Sequence, residues 1–85
     1  MNLQDVKTAI LAVKDKYQRY SFIEYEGNYN SGYEKGRAQI IGFEYDVFAD
    51  LILIQCLSDK KEIKSFIVYD FLEGGFVNVS NVKRV

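Results

Sequence analysis

Eighty-five residues, 48% of them hydrophobic and 27% charged, suit one small folded domain and are too apolar for intrinsic disorder. The chain has no His, Trp or Pro and a single Cys, which excludes a Cys/His zinc site, a disulfide framework and any catalytic pair that needs an imidazole. The formal charge of −1 argues against nucleic-acid binding by bulk charge, but it is unevenly spread: residues 1–21 carry +2, residues 22–50 carry −4 and residues 51–85 carry +1. The lone thiol, the absence of a secretory pattern at the start and the lack of an apolar run of membrane-spanning length lead us to expect a cytoplasmic protein with no membrane span.

Leu3, Val6, Ile10, Val13, Tyr17 and Tyr20 recur at spacings of three and four, with Ala9 at the edge of the stripe, which predicts an amphipathic helix over residues 3–20. Asn2 is placed to cap its first turn. Asp5, three residues on, supplies the acidic half of a capping box and suits the positive end of the helix dipole. Leu11 falls among Lys7, Lys14 and Gln18 on the polar side, an apolar residue turned away from the core.

Beyond Tyr20 the period becomes two and β-branched and aromatic residues dominate, predicting strands over residues 22–26, 37–45, 51–57, 62–71 and 76–85. Gly27–Gly36 reads as a ten-residue connection, Gly42 as a bulge and Gly74-Gly75 as a tight turn. The third strand is apolar on both faces apart from Gln55, the mark of a central strand. A helix followed by consecutive strands is an α+β order. The N-terminal helix packs on a curled antiparallel sheet of four or five strands, as an open meander or as a partly closed SH3-like barrel, in a single domain over residues 1–85.

The Gly27–Gly36 connection is long for a hairpin and holds Tyr29 and Tyr33 among Asn, Ser and Gly, with Tyr25 before it and Arg37 after it. Tyr and Arg dominate interface hot spots because they bury large area at small rotamer cost, so Tyr25, Tyr29, Tyr33 and Arg37 are candidate partner-binding anchors. If the rings instead fold over a small core, the segment only turns the chain. Glu24 with Glu26, and Glu44 with Asp46, lie at i and i+2 on one strand face. With no His and no third ligand at a recognisable spacing they read as a solvated face, and Glu24, Glu26, Glu34 and Glu44 as an acidic rim for a basic partner.

Gly32-x-x-x-Gly36-Arg37 misses the phosphate-loop spacing by one residue and reads as a turn. Cys56 shares parity with Ile52 and Ile54 and should point into the core as a small hydrophobe, not act as a nucleophile. Asn78-Val79-Ser80 matches a glycosylation acceptor, which has a consequence only in a secreted chain. Lys14, Lys16 and Arg19, with Lys83 and Arg84, form a basic patch if the end of the chain lies beside the helix.

No family motif is matched over any stretch. In size, expected compartment and lack of catalytic groups the chain is similar in type to small phage-encoded inhibitors such as anti-CRISPR proteins, and to small toxin-neutralising immunity proteins; the resemblance implies an inhibitor that occludes a partner surface. The expectation is a small non-enzymatic protein-binding module with no cofactor and no metal, whose partner is another protein. The alternative is a nucleic-acid or nucleotide-binding module using the basic residues. Self-association through the Leu51–Leu57 strand or Leu11, giving a homodimer, is a third reading.

Overall fold

The computed structural model describes residues 2–29, 31–77 and 82–85. A helix, α1 (Leu3–Lys16), precedes five strands: β1 (Phe22–Tyr29), β2 (Gly32–Asp46), β3 (Leu51–Ser58), β4 (Ile63–Asp70) and β5 (Lys83–Arg84). All pairs are antiparallel and the order is β4-β3-β2-β1-β5. The sheet is open, with β4 and β5 as its edges: β1–β4 form a meander, β5 returns to lie beside β1, and the sheet does not close into an SH3-like barrel.

The start of α1 follows the sequence closely. The Asn2 side-chain oxygen accepts from the Asp5 N–H at 2.9 Å while its amide donates to the Asp5 carboxylate at 2.9 Å. The end does not. The helix stops at Lys16, and by Tyr20 the backbone has φ +69°, with the Tyr20 N–H donated to the Ile40 carbonyl at 2.8 Å. Tyr20 and Leu3 therefore lie outside the buried stripe, which is Val6, Ala9, Val13 and Tyr17, and Leu11 is exposed as its position on the polar side requires.

The stripe rests on one face of the sheet, where Ile23, Ile40, Ile52, Ile54, Cys56 and Val68 are fully buried. That face is concave. Tyr25 on β1 and Phe66 on β4 have ring centroids 5.3 Å apart, although β2 and β3 lie between them and a flat sheet would hold the two strands about 14 Å apart. The bulge expected at Gly42 is present as a register shift between Ile40 and Gly42, which sharpens the local bend.

Gly27–Gly36 is not a loop. β1 runs on to Tyr29 and β2 begins at Gly32, and their register continues without a break from Phe22↔Gln39 to Tyr29↔Gly32, so the segment is the arm of a hairpin. The glycines interrupt the hydrophobic pattern without interrupting the strands. Gly36 is required for a packing reason: a Cβ there would stand 2.7 Å from the Tyr25 hydroxyl oxygen and 3.0 Å from its Cζ, because the ring lies across the glycine. Of the expected strand over residues 76–85, the described residues contain a strand at Lys83–Arg84, paired with Ile23 and Glu24. Phe76 instead sets its ring 6.3 Å from Tyr17 and 5.7 Å from Tyr69. The acceptor pattern at Asn78-Val79-Ser80 lies outside the described residues.

The Tyr25 ring cannot swing away from a new Cβ, since Phe66, Tyr29 at 6.2 Å and the Lys64 ammonium at 5.6 Å enclose it. Gly36→Ala is therefore expected to cost about 1–3 kcal/mol, as overpacking does. Urea and thermal melts read this directly, at about 4–8 °C of Tm per kcal/mol in a domain of this size.

Candidate interaction site

Directly paired residues of an antiparallel hairpin share a face, and this divides the expected anchors between the two sides of the sheet. Tyr25, Tyr29 and Glu34 lie on the concave side. Glu24, Glu26, Tyr33 and Arg37 lie on the other, with Glu24 opposite Arg37 and Glu26 opposite Lys35. Tyr25, at 3% exposure, belongs to the core and is not a contact residue. Tyr29 packs half-buried against Tyr25 and Phe66. Glu34 accepts a 3.0 Å ion pair from Lys64, whose ammonium also faces the Tyr25 and Tyr29 rings, so that carboxylate is tied into the fold and is no part of a rim.

On the convex side Tyr33 is exposed and donates its hydroxyl to the Glu26 carboxylate, while the Arg37 guanidinium lies 5.4 Å from the Phe22 ring centroid. Glu44 is farther along β2 and accepts from the Gln55 amide at 3.0 Å. The convex arm is thus charged with both signs rather than ringed in acid.

The basic residues are also separated. Arg84 donates to the Lys16 carbonyl at 3.1 Å and so closes the end of α1, and Arg19 donates to the Ile41 carbonyl at 3.1 Å. Lys16 lies over the Phe76 ring at 4.2 Å. Lys14 and Arg19 border a shallow cleft of about 400 Å³ with Ile41, Gly42 and Phe43. Lys83, opposite Glu24, is on the other face. No continuous basic patch joins these five residues.

A different cluster stands at one end of the sheet. β2 and β4 each end in an Asp followed by two apolar residues, Asp46-Val47-Phe48 and Asp70-Phe71-Leu72. The Asp46 carboxylate accepts from the Phe48 N–H at 3.0 Å and the Ala49 N–H at 3.1 Å, and the Asp70 carboxylate accepts from the Leu72 N–H at 2.9 Å. Each aspartate therefore builds its own turn and fixes the backbone of the residue two positions on. Tyr45 pins the first turn again by donating its hydroxyl to Asp50 at 2.6 Å, and its ring meets Phe71 of the second turn edge-on at 5.9 Å.

Asp46 and Asp70 both flank Leu51 in register, so the two turns leave the same end of the sheet. They hold Phe48 at 99% exposure, Leu72 at 89% and Val47 at 65%. Asp50 and Glu73 complete an acidic surround, and residues 38–59 and 65–82 contain no Lys or Arg. Period-two patterning does not flag these turns; the signal that would is the repeated Asp followed by two apolar residues at a strand end.

Cys56 is fully buried and burial pushes its thiol up to about 12, which suits packing and not nucleophilic chemistry. Among the described residues no group of three or more His, Cys, Asp or Glu is placed to hold a metal ion, and no helix is long and apolar enough to cross a membrane. Comparison of the chain with family models, curated proteins and solved structures returns no match.

The hydrogen bond to Glu26 raises Tyr33, the one to Asp50 raises Tyr45, and burial raises Tyr17 and Tyr25 above the usual tyrosine value. The hydrogen bond to Glu34 raises Lys64. A group whose ionisation is raised by folding contributes its full stabilisation below its unfolded value and loses it as pH climbs through the folded one. All these shifts act in the same direction. With the buried Cys56 thiol they leave stability level from pH 7 to about 8, lower it gradually as the unfolded thiol ionises at about 8.5, and lower it steeply above about 10, where unfolded Tyr and Lys ionise. Thermal melts from pH 7 to 11 test this, and Tyr45→Phe is expected to reduce the alkaline loss.

Proposed function

We propose that the chain is a small non-enzymatic protein-binding module that docks through the tip formed by residues 47–50 and 71–74. The observation that carries this reading is Phe48, which is almost wholly exposed on a turn held by three hydrogen bonds that the Asp46 and Asp50 carboxylates accept. Turn positions favour Gly, Asn, Asp and Ser, and folding gains nothing from a phenyl ring in water, whereas a pre-ordered aromatic side chain loses little entropy when a partner buries it. Leu72 beside it extends the apolar contact, and the acidic surround selects a partner whose apolar pocket is framed by Lys or Arg. The same charges disfavour an anionic lipid surface.

Such a module acts by occupation: it covers a partner's surface and needs no cofactor. The nucleic-acid alternative has less support, because Arg19 and Arg84 are engaged by backbone carbonyls and Lys83 is on the opposite face.

The test is affinity capture from lysate of the source cell, with nuclease and at two salt concentrations, comparing the wild-type chain with Phe48→Ser/Leu72→Ser. Both side chains are exposed, so stability should stay within about 0.5 kcal/mol. Binding of a single stoichiometric protein should weaken by about 2 kcal/mol or more. Equal retention by the double variant, or retention of nucleic acid alone, removes the tip as the docking site.

A further inference from the structure

The convex face of the sheet carries an apolar patch that no described element covers. In register across β3 and β4, Leu53 stands beside Ile67 and Leu57 beside Ile63, with Gln55 and Ser65 between the two rows. Ile63 is 61% exposed, and the other three are half-buried by one another. At about 300 Å² it is comparable with the largest apolar patch on an ordinary monomer, a feature that is often functional.

We propose that this face is a homodimer interface, in which two copies pack face to face about a two-fold axis that runs across the strands along the Gln55–Ser65 row. The register supplies the argument. Rotation about that axis sets Leu53 of one copy against Leu57 of the other and Ile67 against Ile63, so the patch is complementary to itself. The Gln55 amides of the two copies meet on the axis. On β2, Arg37 is opposite the position of Asp59 and Asp46 is opposite Leu51, at equal distances from the axis on either side; the rotation therefore brings Arg37 of each copy to Asp46 of the other.

A two-fold axis running along the strands would instead join the two ends that carry Asp46 and Asp70, setting like charges together. Along β1, β2 and β5 the face bears Glu24, Glu26, Glu44 and Asp46 against Lys35, Arg37 and Lys83, a mixture of sign with one acid in excess that repels its own copy only weakly.

The size of the contact sets its strength. The apolar rows cover about 300 Å² of sheet surface, and the convex curvature confines contact to these central rows. A standard interface needs about 800 Å² per partner, so the dimer is weak and forms only at high protein concentration.

Sedimentation of the full chain from about 1 μM to 1 mM should show the mass rising from one protomer towards two, as a weak dimer driven by concentration requires. Ile63→Lys, at an exposed position that folding does not depend on, should hold the chain monomeric throughout. Leu11→Lys on the far side of α1 should not. Gln55→Cys should give a reducible covalent dimer under mild oxidation, and Glu73→Cys, outside the contact, should not. A monomer at 1 mM, self-association that survives Ile63→Lys, or dissociation by Leu11→Lys instead would each overturn the proposal. None of these outcomes bears on docking through Phe48, which has its own variant.

Discussion

A helix of fourteen residues covers about 21 Å of one sheet face, and five strands are about 24 Å wide before the long hairpin is counted. Among the described residues there is no second helix with which to complete the cover. The sheet makes up the difference by curling until its own aromatics meet: Tyr25 and Tyr29 from β1 reach Phe66 from β4 and fill the end of the concave face that α1 leaves open. Gly36 is the residue that permits this, because any side chain there would occupy the space of the Tyr25 ring. The Lys64–Glu34 pair then closes the rim of the cluster, joining β4 to β2 across thirty residues of sequence. In a chain that buries so modest a share of its surface, a single tyrosine lying on a glycine decides whether one helix suffices.

The same curl exposes the two surfaces to which function is assigned. Bending the sheet towards α1 leaves its back convex and uncovered, with leucines and isoleucines on β3 and β4 that would be core in a three-layer protein. The tip beyond Leu51 is built mainly by chemistry local to each turn, an aspartate holding the backbone of the residue two on, with Phe71 anchored on Tyr45 and Tyr69, so the exposed Phe48 and Leu72 keep their places without being packed themselves. That independence is why a fully exposed phenylalanine can be tolerated there.

How much of this was legible in the sequence depended on the range of the interaction. The Asn2 cap, the inward Cys56, the Gly42 bulge and the central character of β3 are encoded within a few residues, and each is where its pattern puts it. The continuation of β1 and β2 through Gly27–Gly36 was not legible, because glycine breaks a strand on propensity and supports one here only through a cross-strand tyrosine. The placing of Tyr25 as an anchor failed for the same reason: a tyrosine beside a polar, glycine-rich stretch resembles a binding residue until its glycine partner is known. The helix end was missed because spacing extends to Tyr20, whereas the reversal into β1 takes its backbone hydrogen bond from Ile40 on a different strand.

The near-neutral total charge conceals a segregation that only the register reveals. Acids gather beyond Leu51 at the tip, while Arg37 stands towards the opposite end of the convex face, two strand positions past Gln39. A molecule polarised along its strands in this way favours an antiparallel encounter with its own copy over a parallel one, since only the former sets Arg37 near Asp46. On that arrangement the two Phe48 tips point away from each other at opposite ends of the pair. Neither then competes with the other for a single pocket, and a partner that offers two such pockets at the matching span would be held far more tightly than one that offers a single pocket, without any further contact being made.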